Sequence, residues 1–371
     1  MILAVDGSRL EGHRTGVGRY VEYLLAAWAG QELPFAEVRV YTRLPVEDLP
    51  SSRRFRAATL DSAAGGLWWQ VRRLRPEAEQ ADVLFSMYTV PPGFRGRSVV
   101  GNLGILAGPY AVQGLVGRAR DRHAGWSARR AEAVLVNSRT TKADIVRHYR
   151  VPEPKVRPVQ PGISPLFRPL LPADEGAVAA AVERNLGEPG PFVLFVGKLS
   201  TRRNVPALAE AVARLRRDHR ELRLLLVGPN TGNVPLDELP GGFVHVEFLE
   251  LHELALLYRA ARALVLPTDR EGFGHPIVEA MTSRCPVVLL RGTGVGVFDW
   301  AAEGTRSELV LEADDASPSG LERALRQIVE DDELHAGLAE RGRAFGGTFP
   351  TWEEHGRIVM QELAAAAEGA S

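Results

Sequence analysis

The chain of 371 residues holds one cysteine, Cys285, so an internal disulfide framework is excluded. That cysteine lies in the apolar run Cys285-Pro286-Val287-Val288-Leu289-Leu290 and reads as a small core residue rather than a nucleophile. No stretch reaches the ~18 uninterrupted apolar residues that a membrane-spanning helix needs. No two aspartates stand two apart, so an Asp-x-Asp pattern is missing. The opening run Ile2-Leu3-Ala4-Val5 has no basic stretch or cleavage site ahead of it, so a cytoplasmic location is expected rather than secretion. Net charge of one sign is also lacking, at -1, and no nucleic-acid motif is found.

What is present is a charge asymmetry. Residues 1–165 carry 24 basic and 15 acidic groups, and the remainder carries 21 basic and 31 acidic groups. Mutual attraction of two domains explains this, and so does an anionic acceptor or membrane surface. Trp68-Trp69 with Arg72, Arg73 and Arg75, together with Arg118, Arg120, Arg122, Arg129 and Arg130, raise peripheral contact with an anionic inner membrane face; packed aromatics beside solvated arginines give the same pattern.

Short apolar runs alternate with amphipathic stretches throughout, the pattern of βα units on parallel sheets. The strands expected are Ile2–Val5, Val38–Tyr41, Val83–Phe85, Val99–Val100 and Ala133–Val136 in the first half. In the second they are Phe192–Val196, Leu222–Val227, Val244–Phe248, Ala263–Leu266, Val287–Leu290 and Leu309–Leu311. Val17–Trp28 and Thr140–Tyr149 read as helices, and Val205, Leu208, Val212 and Leu215 recur at helical spacing. Prolines at 158, 161, 165, 169, 172, 189 and 191 mark a linker that contains a short helix, Ala173–Leu186. The expected domains are 1–165 and 191–348, joined by 166–190, with 349–371 as a terminal helix crossing back to the first.

The most informative stretch is Glu271-Gly272-Phe273-Gly274-His275-Pro276-Ile277-Val278-Glu279, which follows a strand ending at Leu266-Pro267. It reads as a glycine turn opening a helix, with Pro276 at the first helical position where a missing N–H costs nothing. Glycines admit close backbone approach to a ligand. The helix start with its positive dipole favours a diphosphate, and two carboxylates eight residues apart flank the same mouth, one for a sugar and one for a ribose.

These residues match the Glu-x7-Glu signature of the retaining GT-B glycosyltransferases of family 4, in which Gly-Phe-Gly accompanies the acids, and the chain resembles that family, including its mannosyltransferase-like members, over nearly its whole length. Phe195-Val196-Gly197-Lys198-Leu199-Ser200-Thr201-Arg202-Arg203-Asn204 is similar to the family's loop whose cations grip the donor diphosphate, with Lys198 where Arg is usual and Arg203 where Lys is usual. Thr15-Gly16-Val17-Gly18-Arg19-Tyr20 resembles its glycine-rich loop near the transferred sugar. Val21 stands where a dinucleotide fingerprint requires glycine, which weakens a dehydrogenase reading. Gly228-Pro229-Asn230 and Phe248-Leu249-Glu250 lie where the family holds the base. Ser138 reads as a helix N-cap.

The resemblance implies an α/β fold of two Rossmann-like doubly wound domains facing across a cleft, with hinge motion about the linker. It also implies transfer with retention, without metal or cofactor, of a hexose from a nucleotide-diphosphate sugar. GDP-mannose is favoured as donor, with a UDP-sugar next. The acceptor is a glycan, lipid-linked or small-molecule species, as in polysaccharide or glycolipid biosynthesis. In that scheme Arg203, Lys198 and Glu271 serve catalysis. Gly16, Val17, Gly18, Gly272, Phe273, Gly274, His275, Glu279, Asn230 and Glu250 bind the donor, and Asn102 and Tyr20 lie on the acceptor side. One departure stands out: Gly101-Asn102-Leu103-Gly104 replaces the family's His-Asp, and Asn102 is neither acid nor base. His275 and His13 are read as structural or exposed rather than as substitutes. A hydrolysing sugar-nucleotide epimerase of the same fold, or a nucleotide-sugar-binding subunit without activity, are the competing readings.

Overall fold

Strand β1 (Ile2–Asp6) pairs in parallel with β2 (Glu37–Thr42) on one side and β4 (Val83–Met87) on the other, setting Leu3 opposite both Val38 and Val83. In this computed structural model residues 1–12, 16–50, 52–62, 65–104 and 114–369 are described; His13 and Thr15 lie outside them. The chain divides into two units, Met1–Gly162 with Pro350–Ser371, and Ile163–Phe349.

The first unit is built on a seven-stranded parallel sheet. Its order is β3-β2-β1-β4-β5-β6-β7, with β3 Phe55–Thr59, β5 Ser98–Asn102, β6 Ala133–Val136 and β7 Val156–Pro158. Leu3, Val83, Phe85 and Val99 pack into one layer, while Ala4, Leu84, Val100 and Val134 pack into the other. Covering both faces makes each central strand a nearly continuous apolar run, which is why these strands were legible. The expected strand list lacked β3 and β7. β3 is an edge strand exposed along most of its length, and β7 is three residues ending in Pro158, so neither presents an apolar run.

The second unit holds a six-stranded sheet in the order β10-β9-β8-β11-β13-β15. Its strands are β8 Phe192–Val196, β9 Arg223–Val227, β10 Phe243–Val246, β11 Ala263–Leu266, β13 Val287–Leu290 and β15 Leu311–Ala313, and all its pairings are parallel. A two-stranded parallel ladder joins β12 (Arg270–Glu271) to β14 (Gly294–Val295). On the Val205–Leu215 helix the stripe Val205, Leu208, Val212 and Leu215 is buried, as its spacing requires. Cys285 is buried and free, and burial pushes its thiol up to about 12.

Residues 166–190, expected as a linker, pack within the second unit. The helix Glu175–Leu186 buries Val178, Ala181, Val182 and Leu186 in that unit's core. The terminal helix Trp352–Glu368 packs on the first unit instead. It opens with a reciprocal cap, Thr351 N–H to Glu354 Oε2 at 2.8 Å and Glu354 N–H to Thr351 Oγ1 at 3.2 Å. Trp28 Nε1 donates to the Gly356 carbonyl at 2.8 Å, and Arg157 pairs with Glu362. Among the described residues no helix is long and apolar enough to cross a membrane.

Candidate functional site

Each sheet changes its direction of winding once, between β1 and β4 in the first unit and between β8 and β11 in the second. In open parallel sheets ligands bind outside the carboxyl ends of the strands at such a point. The loops leaving β8 and β11 carry the cations and the carboxylates singled out from sequence.

The β8 loop is shaped by glycine. Gly197 has φ 146° and donates its N–H to the Val227 carbonyl at 2.8 Å, and a β-carbon on Gly228 would overlap the Gly197 carbonyl oxygen. Leu199 N–H then bonds to the Pro229 carbonyl at 2.9 Å, and Gly232 N–H to the Leu199 carbonyl at 3.0 Å. One turn of 3₁₀ helix, Thr201–Arg203, leads to Asn204, which takes a left-handed conformation at φ 50° and begins the Val205–Leu215 helix. Its Nδ2 donates to the carbonyl of Pro267 at 2.7 Å, tying this loop to the one that follows β11.

Arg203 lies over Gly197 so closely that any β-carbon there would overlap its Nη1. Its Nη2 stands 2.9 Å from Glu271 Oε1, and both side chains are 16% exposed. Glu271 is held in the β12–β14 ladder opposite Val295, and Thr293 Oγ1 braces that ladder 2.8 Å from the Thr268 carbonyl. Glu271 Oε1 is thus buried against the Arg203 guanidinium at ion-pair distance. A carboxylate has about four lone-pair sites, so Glu271 can hold this cation and still accept from a hydroxyl group.

Gly274 caps the His275–Thr282 helix at φ 90°, where a β-carbon would press on Ile277 and Val295. Pro276 is the second helical residue rather than the first, and the Ile277 N–H bonds to the Gly274 carbonyl at 2.9 Å. This helix start therefore offers an anion fewer N–H donors than a proline-free one. Phe273 is buried with its ring edge-on to His275 at 4.8 Å and to Phe349 at 5.8 Å, so its side chain anchors the turn rather than touching a ligand. Gly272 and His275 are partly exposed beside it. Glu279 lies one turn into the helix, on the face of His275, with Tyr258 Oη donating to its Oε2 at 3.3 Å.

Lys198 and Glu250 are exposed. Asn230 is committed to its own loop, its Nδ2 donating to the Val234 carbonyl at 2.8 Å and its Oδ1 accepting from Val234 N–H at 2.9 Å. Asn230 thus shapes the base-side loop and has little side-chain capacity left for a base. Sequence reasoning missed Asn204, Thr293 and Tyr258, because their roles depend on contacts with distant segments. Only the unusual Gly197 and Gly228 at two strand ends hinted at the close approach there.

In the first unit Gly16, at φ 40°, caps the Val17–Ala29 helix, whose Gly18 is buried and whose Val17 is partly so. Asn102, the last residue of β5, is buried and folds its Oδ1 onto Gly104 N–H at 3.0 Å. Tyr20 is not presented to an acceptor. It is buried edge-on to Trp352 at 5.7 Å and shares a 2.9 Å hydrogen bond with His355 Nε2. The apolar packing that makes the helix amphipathic turns this side chain inward. His355 Nδ1 lies 2.8 Å from the Gln160 carbonyl, which only accepts, so Nδ1 carries the proton and Nε2 accepts from the Tyr20 hydroxyl. Burial lowers His355 from 6.5 to about 4 and pushes Tyr20 well above 10. Ser138 does cap its helix, accepting Thr141 N–H at 2.9 Å. Among the described residues no three His, Cys, Asp or Glu side chains cluster as metal ligands.

Residues 14–165 match the family described as Glycosyltransferase Family 4, and residues 190–331 match Glycosyl transferases group 1. A D-inositol 3-phosphate glycosyltransferase from Corynebacterium kroppenstedtii is 28% identical over 242 residues, 61% of this chain and 52% of that protein. The chain thus spans about half the length of the curated relatives it matches. Sucrose-phosphate synthase from Thermosynechococcus elongatus superposes with a TM-score of 0.73 at 22% identity, covering 100% of this chain and 99% of the other. Anabaena HepE in complex with UDP and glucose superposes with a TM-score of 0.73 at 16% identity, covering 98% and 99%. These likenesses place both Rossmann-like units in the GT-B fold.

Proposed function

Because the chain belongs to the group 1, family 4 type of glycosyltransferases, we propose that it moves a hexose from a nucleotide-diphosphate sugar to an acceptor hydroxyl with retention and without a metal ion. The observation that carries this reading is the largely buried Arg203–Glu271 pair at the switch point of the second sheet. Arg203 and Lys198 meet the diphosphate, Glu271 accepts from a sugar hydroxyl, and Glu279 holds the ribose. As the bond from the anomeric carbon to phosphate oxygen breaks, negative charge gathers on the departing diphosphate, and the guanidinium stabilises it. The acceptor oxygen bonds to the anomeric carbon from the face the nucleotide leaves. Its proton passes to the departing phosphate oxygen, so no side-chain base is required and Asn102 in place of His-Asp does not block the step.

The UDP bound in the HepE structure puts UDP-glucose ahead of GDP-mannose as the first donor to test. A thermal-shift panel of nucleotide sugars tests the reading directly, since ligand at 100 times its dissociation constant stabilises by about 2.7 kcal/mol. Arg203→Ala is expected to lower turnover about a hundredfold; near-normal turnover removes Arg203 from the site. Rapid epimer formation from donor alone would favour the epimerase instead.

On the acceptor side the proposal extends to a lipid-linked species met at an anionic membrane surface. Leu67, Trp68, Leu115 and Val116 are exposed, with exposed Arg72, Arg73, Arg118, Arg120 and Arg122 close by in the chain. Trp69, in contrast, is buried with its Nε1 donating to the Leu60 carbonyl at 3.0 Å.

A further inference from the structure

We infer that Tyr258 positions the Glu279 carboxylate for the donor, and that the strap formed by residues 163–174 holds Tyr258 in place; this rests on the reading above that Glu279 binds the donor. Tyr258 lies on the helix Leu251–Ala260 and is 0% exposed. A phenol buried so completely must place its hydroxyl on a partner, and the hydroxyl reaches Glu279 Oε2 at 3.3 Å. A glutamate on a helix face has three rotatable bonds, and a bond from a fixed, buried phenol selects among its rotamers.

The phenol is itself fixed from the side of the strap. Phe167, buried, meets the Tyr258 ring edge-on at 5.7 Å and 73°. The next residue, Arg259, grips the backbone on both sides of Phe167, donating Nη2 to the Leu166 carbonyl at 2.6 Å and Nε to the Arg168 carbonyl at 3.1 Å. Arg168 in turn forms a bidentate pair with Asp174, at 2.6 and 2.9 Å, and this holds the Asp174 carboxyl down to about 2. Arg259 Nη1 lies 3.6 Å from the same carboxylate. Phe167 is thus clamped at both flanks, and a segment without chemistry of its own sets the position of a residue that touches Glu279.

The test is a double-mutant cycle read by calorimetric titration of UDP and of GDP. Glu279→Gln is expected to weaken binding of the nucleotide that fits. Tyr258→Phe, which deletes one oxygen and keeps the ring on Phe167, is expected to weaken it about three- to tenfold in the wild-type background. In the Glu279→Gln background it should have no further effect, because a positioning residue acts only through the group it positions. Phe167→Leu, which keeps the phenol but loosens its ring, should give a smaller loss with the same dependence on Glu279. If Glu279→Gln leaves both titrations unchanged, or wild type binds neither nucleotide, the donor reading fails and the inference with it. If Glu279→Gln weakens binding but the Tyr258 and Phe167 variants change nothing, or change it equally with Glu279 absent, the inference fails alone.

Discussion

Asn204 donates its Nδ2 to the Pro267 carbonyl at 2.7 Å, and this bond fastens the loop bearing Arg203 to the loop bearing Glu271. Asn204 combines two properties rarely found together, tolerance of the left-handed conformation and a side-chain amide that reaches across. Asn204→Ala loses both and should destabilise by about 1–2 kcal/mol. Asn204→Gly keeps the backbone and loses only the bond, so its stability should fall less. Both variants should lower kcat/KM, since the cation and carboxylate loops are then free to part. Wild-type kcat/KM in both would show that the Pro267 bond does not set the site.

Gly197 tests the placement of Arg203 without touching its charge. A methyl group at residue 197 overlaps the guanidinium, and the backbone at φ 146° disfavours any side chain. Gly197→Ala should therefore cost about 1–3 kcal/mol through backbone strain. It should also lower turnover by a factor approaching that of Arg203→Ala, about a hundredfold. The double variant Gly197→Ala/Arg203→Ala should be hardly slower than Arg203→Ala alone. Fully multiplicative losses would mean that Gly197 acts by another route.

Much of this was legible because buried parallel strands write apolar runs into the chain, and because Gly274 and Pro276 announce a turn and a helix start whatever surrounds them. The family resemblance put Arg203 and Glu271 at one site, but their direct ion pair was not legible. It joins residues 68 positions apart, brought together by the adjacency of β8 and β11, the Asn204–Pro267 bond and the β12–β14 ladder. Tyr20 was misplaced for a related reason: an aromatic near a glycine-rich loop suits a ligand or a core equally well, and its partner His355 lies 335 residues away. The linker reading failed because its prolines gave a true account of irregular backbone but no account of Phe167, which buries itself in the second unit.

His355 gives the first unit a pH dependence whose sign is fixed by its environment. Its folded value of about 4 lies below its ordinary 6.5, so between those values the unfolded chain binds the extra proton. The stability contributed by the neutral imidazole is complete above 6.5 and is lost as pH falls toward 4. His355→Gln should be less stable than wild type at pH 7, and the gap in Tm should narrow as pH is lowered through this window. A gap that stays constant or widens would show that His355 is not the group being protonated.

The helices opening at Leu67 and Gly114 follow β3 and β5, and their buried residues share one layer on one face of the first sheet, so both helix starts lie toward the carboxyl edge of that sheet. Leu115 is 84% exposed and Trp68 is 49% exposed. Three nearby arginines are spent on structure: Arg75, Arg129 and Arg130 donate to the carbonyls of Pro92, Tyr149 and Phe94. Arg72, Arg73, Arg118, Arg120 and Arg122 remain exposed. Each arginine at an anionic surface contributes about 1 kcal/mol, and the apolar side chains add burial in the interface. Cosedimentation should therefore be stronger with vesicles containing phosphatidylglycerol than with phosphatidylcholine alone, and should weaken as salt is raised. Arg118→Gln/Arg120→Gln should reduce binding to anionic vesicles by about tenfold or more, and Trp68→Ala/Leu115→Ser should reduce it further. Neither pair should change nucleotide binding. Binding that ignores lipid charge, or survives all four substitutions, would leave these side chains as ordinary solvated surface and remove the membrane from the proposal.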